Sequence, residues 1–188
     1  FDKYNQSIGA LAVEPGNARV VYAGTGESNM RNSVSIGEGL YKTTDGGSNW
    51  QKLGLDSTEH ISKIVLDPAD KKVLYVSAPG PLFKASKYRG LYKSIDAGKT
   101  WEKILYINEN TGCADIAIHP TKSNMVFAST WEFRRKPYSF VSGGASSALY
   151  KSTDGGKTWN KISKGLPDGN LGRIVITFNP STPSQILA

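Results

Sequence analysis

The sequence predicts an all-β chain, a partial β-propeller of three four-stranded antiparallel blades and the start of a fourth. Three observations carry this prediction. A turn motif with the pattern Ser/Thr-x-Asp-x-Gly-x-x-Trp occurs at residues 43–50, 94–101 and 152–159, its aspartates 51 (96 − 45) and 58 (154 − 96) residues apart. A short apolar run ending in proline stands upstream of each turn. No segment carries the apolar period of a helix. One turn and one tryptophan in each repeat of this length is the pattern of an array of small sheets.

Each strand of the repeat can be read in order. The first strands are the β-branched runs 8–15, 61–68 and 113–120, with a fourth copy opening at 171–176 and reaching Pro180. Their apolar residues are consecutive, so both faces are expected to be buried, as in an innermost strand. Second strands follow a polar turn at 20–23, 73–76, 125–128 and 186–188. Third strands, at 39–42, 90–93 and 148–151, share Leu-Tyr-Lys and run into the turn motif. Fourth strands begin at the tryptophan, at 50–53, 101–105 and 159–162. The expected blades span about 8–54, 60–105, 112–163 and an incomplete 170–188.

The turn itself has a structural rationale. Asp and Ser/Thr side chains accept hydrogen bonds from the N–H groups of a tight turn. Glycine supplies positive φ, and tryptophan buries a large ring while its N–H finds a carbonyl. Asp45, Gly47 and Trp50, Asp96, Gly98 and Trp101, and Asp154, Gly156 and Trp159 are therefore read as structural. One carboxylate per loop is too few oxygen ligands for calcium.

Bulk properties narrow the function. The 188-residue chain has a net charge of +7, 20 glycines and 2 methionines. Its basic residues do not make a nucleic-acid stripe. Lys42, Lys93 and Lys151 share one repeat position, and Lys52, Lys103 and Lys161 another, so they are expected at sheet edges around a ring, where charge discourages edge pairing. No nucleic-acid partner and no membrane insertion are expected, because no apolar stretch approaches a span. Phe1-Asp2-Lys3-Tyr4 lacks the pattern of a signal peptide. Cys113 is the single cysteine and reads as a small buried hydrophobe. No metal or cofactor is expected: His60 and His119 fall in different loop classes, and no phosphate-binding glycine loop, nucleophile elbow or Cys-x-x-Cys occurs.

The three turn motifs resemble the Asp-box, or BNR, repeat. That family includes sialidases, xyloglucan-cleaving glycosidases, sortilin-type receptor propellers and a photosystem II assembly factor. The stretches 22–27 and 131–137 are most similar to bacterial secreted proteins of sortilin-like or glycosyl-hydrolase-like type. The resemblance implies the propeller and a secreted, periplasmic or cell-surface location. It does not imply one activity. Sialidases carry an Arg-Ile-Pro motif and an arginine triad, and this chain has neither pattern. Xyloglucanases use two aspartates across a cleft between two propellers. Three blades and part of a fourth do not close a ring, so the remaining blades of a parent propeller are expected as partners.

The functional face is expected opposite the Asp boxes. From strand two to strand three the gaps are 19 (41 − 22), 17 (92 − 75) and 23 (150 − 127) residues, far more than a hairpin needs. These loops offer Glu27, Asn29 and Arg31; Lys84, Lys87, Tyr88 and Arg89; and Trp131, Glu132, Arg134, Arg135, Tyr138 and Phe140. The facing connections add Glu59, His60, Glu109, Asn110, Asp168 and Asn170. Aromatics beside carboxylates and arginines suit sugar stacking, and they suit a peptide equally. Ala10, Lys63, Asp115 and Arg173 occupy equivalent inner-strand positions near a central channel, where the three charged residues are expected to satisfy one another or to face a ligand. Glu27, Glu132 and Asp115 are the candidate catalytic carboxylates.

The leading expectation is a secreted or envelope propeller segment that binds a protein or glycan ligand through the long-loop face. Part of a glycoside hydrolase acting on a polysaccharide is the alternative, and an assembly or folding factor a third.

Overall fold

In a computed structural model, residues 7–179 and 181–188 are described. The readings placed on residues 1–4 and on Pro180 lie outside them. The chain is a partial β-propeller. The first sheet comprises β1 (Ile8–Glu14), β2 (Asn17–Thr25), β3 (Leu40–Thr43) and β4 (Gln51–Lys52). The second comprises β5 (Lys63–Leu66), β6 (Leu74–Ala78), β7 (Gly90–Ser94) and β8 (Glu102–Leu105). In the third, β9 (Thr111–His119) pairs with β10 (Lys122–Lys136), which pairs in turn with β11 (Ser139–Ser142) and with β12 (Ala148–Ser152), and β12 pairs with β13 (Asn160–Ile162). A two-stranded sheet of β14 (Thr177–Phe178) and β15 (Ile186–Leu187) follows. All of these pairings are antiparallel.

Strand alternation builds the core between sheets. On β6, Leu74 and Val76 join Tyr22, Leu40, Ile61 and Ile64 between the first and second sheets. The intervening Tyr75 joins Leu91, Ile116, Val126 and Ala128 between the second and third. Phe127 and Leu149 meet Ile174 and Ile176 beyond the third. Each of the larger aliphatic side chains stabilises the stack by about 1.5–3 kcal/mol relative to exposure.

Two strand expectations need correction. The inner strands are not equally buried. β9 is enclosed along nearly its whole length, but Leu11 and Val13 of β1 are 65% and 54% exposed. Among the described residues, β1 has a neighbouring sheet on one face, and Ala10 and Ala12 pack there. The run 171–176 is not a regular strand. Ile174 and Ile176 are buried, yet side chains take the place of ladder partners. The Ser129 hydroxyl donates to Ile174 O at 2.7 Å, and Ile176 N–H donates to Asp115 Oδ2 at 2.8 Å.

The Asp boxes share one hydrogen-bond plan. The Thr43, Ser94 and Ser152 hydroxyls each donate 2.7 Å to the aspartate Oδ1. They accept from the N–H of Gly47, Gly98 and Gly156 at 2.8–3.0 Å. The aspartates accept from the backbone N–H of Asn49, Thr100 and Thr158, at 2.9 Å each, and from their side chains. These donors hold all three carboxyls well below the usual carboxylate range.

The second and third boxes also reach the preceding sheet. The Trp101 N–H donates to Leu53 O of the first sheet at 2.9 Å, and the Trp159 N–H to Ile104 O of the second at 3.0 Å. From the second sheet, the Tyr75 hydroxyl and Lys93 Nζ both donate to Gly155 O in the third box, at 3.1 and 2.7 Å. The reading of Lys93 as an edge guard is therefore replaced by that of an inter-sheet clamp, held over the Tyr75 ring.

The end bearing the boxes is fixed by the N–H groups of Gly46, Ala97 and Gly155, which bond to the carbonyls of Arg19, Lys72 and Asn124 at or just before the start of each second strand. The long loops emerge at the other end. They meet the connections between blades through Gly37 N–H to Glu59 O and Ser86 N–H to Glu109 O.

Candidate functional site

The long-loop face has a core of its own. Leu82, Ala114, Trp131 and Phe133 cluster there, and Met30 and Val34 of the first loop pack against them. Three loops far apart in sequence therefore form one layer. The third connection, expected as a long loop, is a strand continuation with a hairpin. β10 runs on through Lys136, turns at Pro137-Tyr138 and returns as β11. Alternation of Trp131 and Phe133 with Glu132 and Arg134, ahead of a proline turn, was the available signal.

Several expected ligand residues turn out to hold this layer together. Arg89 is fully buried. Its guanidinium donates to the carbonyls of Pro79, Pro81 and Lys84 and lies 4.4 Å over the Phe133 ring. Burial pushes its pKa down to about 10. It is an internal strut of the second loop, which corrects the ligand-facing expectation. Trp131 is 4% exposed and stacks on Phe133 with centroids 4.3 Å apart, so its ring face is not open for a sugar.

The candidate carboxylates are all engaged. Glu27 accepts from Arg31 Nε at 2.5 Å and from Ser35 N–H at 3.3 Å, and the Arg31 bond lowers its pKa. Glu132 Oε2 accepts from Ser146 N–H at 3.1 Å and lies where a Cβ on Gly144 would sit. Asp115, 4% exposed, holds its own sheet to the fourth unit through Ile116 and Ile176 N–H. Lys63 approaches it to 3.5 Å. Arg173 does not join that pair. It crosses instead to Ser28 O at 3.1 Å and Asn29 Oδ1, with its guanidinium 5.7 Å from the Trp131 ring.

The remaining candidates lie outward. Arg134 donates to Phe83 O and Asn110 Oδ1, and Arg135 to Asn32 Oδ1, tying the hairpin across to the other loops. Tyr138 at the tip is 82% exposed, with Phe140 and Val141 partly exposed behind it. A cavity of about 440 Å³ lies beside the hairpin, lined by Asn110, Glu132, Phe133, Arg134, Lys136 and Val141. A second, about 480 Å³, lies by Glu59, Lys84 and Tyr88, where Lys84 and Glu59 pair at 2.6 Å. Beneath the loops, burial lowers the His60 pKa. Buried Cys113 is raised to about 12 by desolvation, so its thiol is inert.

Sequence reasoning missed Phe133, Leu82, Met30 and Val34 as the support of this face. None of the described helices is long and apolar enough to cross a membrane.

Comparison with known proteins places this arrangement. The chain is 30% identical to a xyloglucanase of Paenibacillus sp. over 91% of its length, which is 18% of that protein. It is 25% identical to xyloglucanase Xgh74A of Acetivibrio thermocellus, over 91% of this chain and 21% of the relative. The chain thus spans about a fifth of the length of these relatives. The crystal structure of an ancestral GH74 enzyme superposes with a TM-score of 0.71 at 19% identity, covering 97% of this chain and 22% of that one, a likeness of fold. The family model Sortilin-Vps10, described as sortilin, neurotensin receptor 3, matches residues 38–182, and the chain belongs to that family.

Proposed function

We propose that this chain is a propeller segment of a secreted or cell-envelope protein that binds a protein or glycan partner through its long-loop face. The observation that carries this reading is the division of labour on that face. Glu27, Glu132 and Asp115 are tied to internal donors, while Tyr138, Phe140, Val141, Arg134 and Lys136 lie on a projecting hairpin. Exposed aromatic and cationic side chains on a rigid support are the composition of a recognition surface. Loops on a fixed scaffold are where such surfaces sit.

A second reading has its own support. The xyloglucanase relatives, at 25–30% identity over most of this chain, favour membership of a glycoside hydrolase. A glycosidase needs two carboxyl groups flanking the scissile bond. In this reading the hairpin contributes substrate contacts, and Glu27, Glu132 or Asp115 contributes acid or base chemistry.

Turnover by the intact protein on xyloglucan and on bacterial glycans separates the two. The binding reading predicts retention on the glycan or a protein partner without product. Product formation that is lost in Glu27→Gln, Glu132→Gln or Asp115→Asn, with the fold kept, would establish the hydrolase reading instead.

A further inference from the structure

The hairpin has an open edge with a defined hydrogen-bonding pattern. Lys136 and Ser139 flank a two-residue turn, so they form a hydrogen-bonded pair, as do Arg134 and Val141. The alternate pairs, Arg135 with Phe140 and Phe133 with Ser142, direct their N–H and C=O groups away from the hairpin. On the β10 side these outward donors are used: Phe133 N–H bonds to Asn110 O at 3.2 Å and Arg135 N–H to Leu82 O at 3.0 Å. On the β11 side the outward groups of Phe140 and Ser142 have no backbone partner among the described residues. All four residues of β11 are exposed.

The same edge already carries one rung of a ladder. Gly144, the next outward position after Ser142, donates to Leu171 O at 3.2 Å in an isolated antiparallel bridge. The chain then leaves the edge, because Ile174 and Ile176 enter the core and Arg173 reaches to Ser28. Phe140 and Ser142 are left without the strand that Leu171 begins. Beside them stand Arg134, Arg135 and Lys136, none of which has a carboxylate within ion-pair distance among the described residues. Arg134 and Lys136 line the 440 Å³ cavity, which is about large enough to seat a side chain.

We propose that β11 is an acceptor edge for an extended acidic peptide, which adds as a strand on Phe140 and Ser142 with its carboxylates on the face shared by Arg134 and Lys136. Main-chain bonds supply the attachment and alternate side chains the selectivity. The two unneutralised cations on that face favour acidic residues and repel basic ones. They also keep a second copy of the same edge from pairing with this one. The proposal rests on the binding reading of the long-loop face and names the partner class and the docking element.

The test uses the intact protein and a labelled, end-capped synthetic peptide alternating glutamate and valine, with binding followed by fluorescence anisotropy. N-methylation at every second residue blocks one edge of the peptide at a time. Strand addition predicts that one methylation register loses affinity by about tenfold or more while the other keeps it. Ser142→Pro removes an outward donor and lowers affinity in the same direction, and joint Arg134→Glu and Lys136→Glu substitution abolishes binding. Because the methylated peptides leave the protein unchanged, misfolding of a variant does not obscure the result. Equal binding of both registers, or displacement by polygalacturonate with no register effect, overturns strand addition while leaving a binding face in place. Peptide and polygalacturonate binding that ignores the hairpin substitutions and Tyr138→Ala overturns both readings.

Discussion

The two ends of the molecule solve different problems with different chemistry. At the Asp-box end the same plan recurs in all three boxes: a hydroxyl, a carboxylate and a glycine N–H close a turn, and tryptophans of the second and third boxes reach the preceding sheet. At the loop end no two connections match. The first loop is pinned by Glu27 and Arg31, the second is threaded by a buried arginine, and the third is a projecting hairpin. Repetition marks what holds the array together, and departure from repetition marks what is free to specialise.

The largest effects should fall at the repeated end. Trp159→Ala removes a ring that bridges two sheets and its N–H bond to Ile104, and should cost about 3 kcal/mol in urea unfolding. Ser94→Ala strips a buried hydroxyl that donates once and accepts from two N–H groups, so a loss of about 2 kcal/mol is expected. Equal losses from Trp159→Ala and Tyr138→Ala would erase the contrast between the ends.

Acid should separate them next. His60 has a pKa lowered by burial, so the folded state resists its protonation. Its contribution to stability is full above its ordinary value of 6.5 and is lost as pH falls below that. The box aspartates are also lowered, but from 3.8, so theirs persists above that value and is lost only as pH falls through the depressed range. Hydrogen exchange should therefore quicken around residues 24–37 and 59–61 on acidification before it does in the Asp-box turns. Simultaneous loss at both ends would contradict this order. The smallest stability effect is expected for Tyr138→Ala, within about 0.5 kcal/mol, because the side chain is 82% exposed.

The same contrast explains what could be read in the sequence. The box turn was legible because its bonds join residues two to four apart, as from Ser94 to Asp96 and Asp96 to Thr100. The clamp of Tyr75 and Lys93 on Gly155 was not, because its partners lie 80 and 62 residues away. Arg89 looked available because an arginine in a loop usually faces water. Nothing local announces that three carbonyls converge on it from inside. Trp131 looked like a sugar platform, but Phe133 two residues on takes its face. Arg173 was assigned to Asp115 by equivalence of position, yet the first loop offers it Ser28 and Asn29 instead.

The central claim, that the boxes fasten and the hairpin recognises, is most directly tested by measuring urea stability and affinity for the alternating glutamate–valine peptide on the same two variants. Trp159→Phe should lose about 1 kcal/mol of stability, as the indole bond is removed, and keep its affinity. Ser142→Pro should keep its stability and lose affinity by about tenfold. Weaker peptide binding by a fully stable Trp159→Phe, with Ser142→Pro unaffected, would contradict the account.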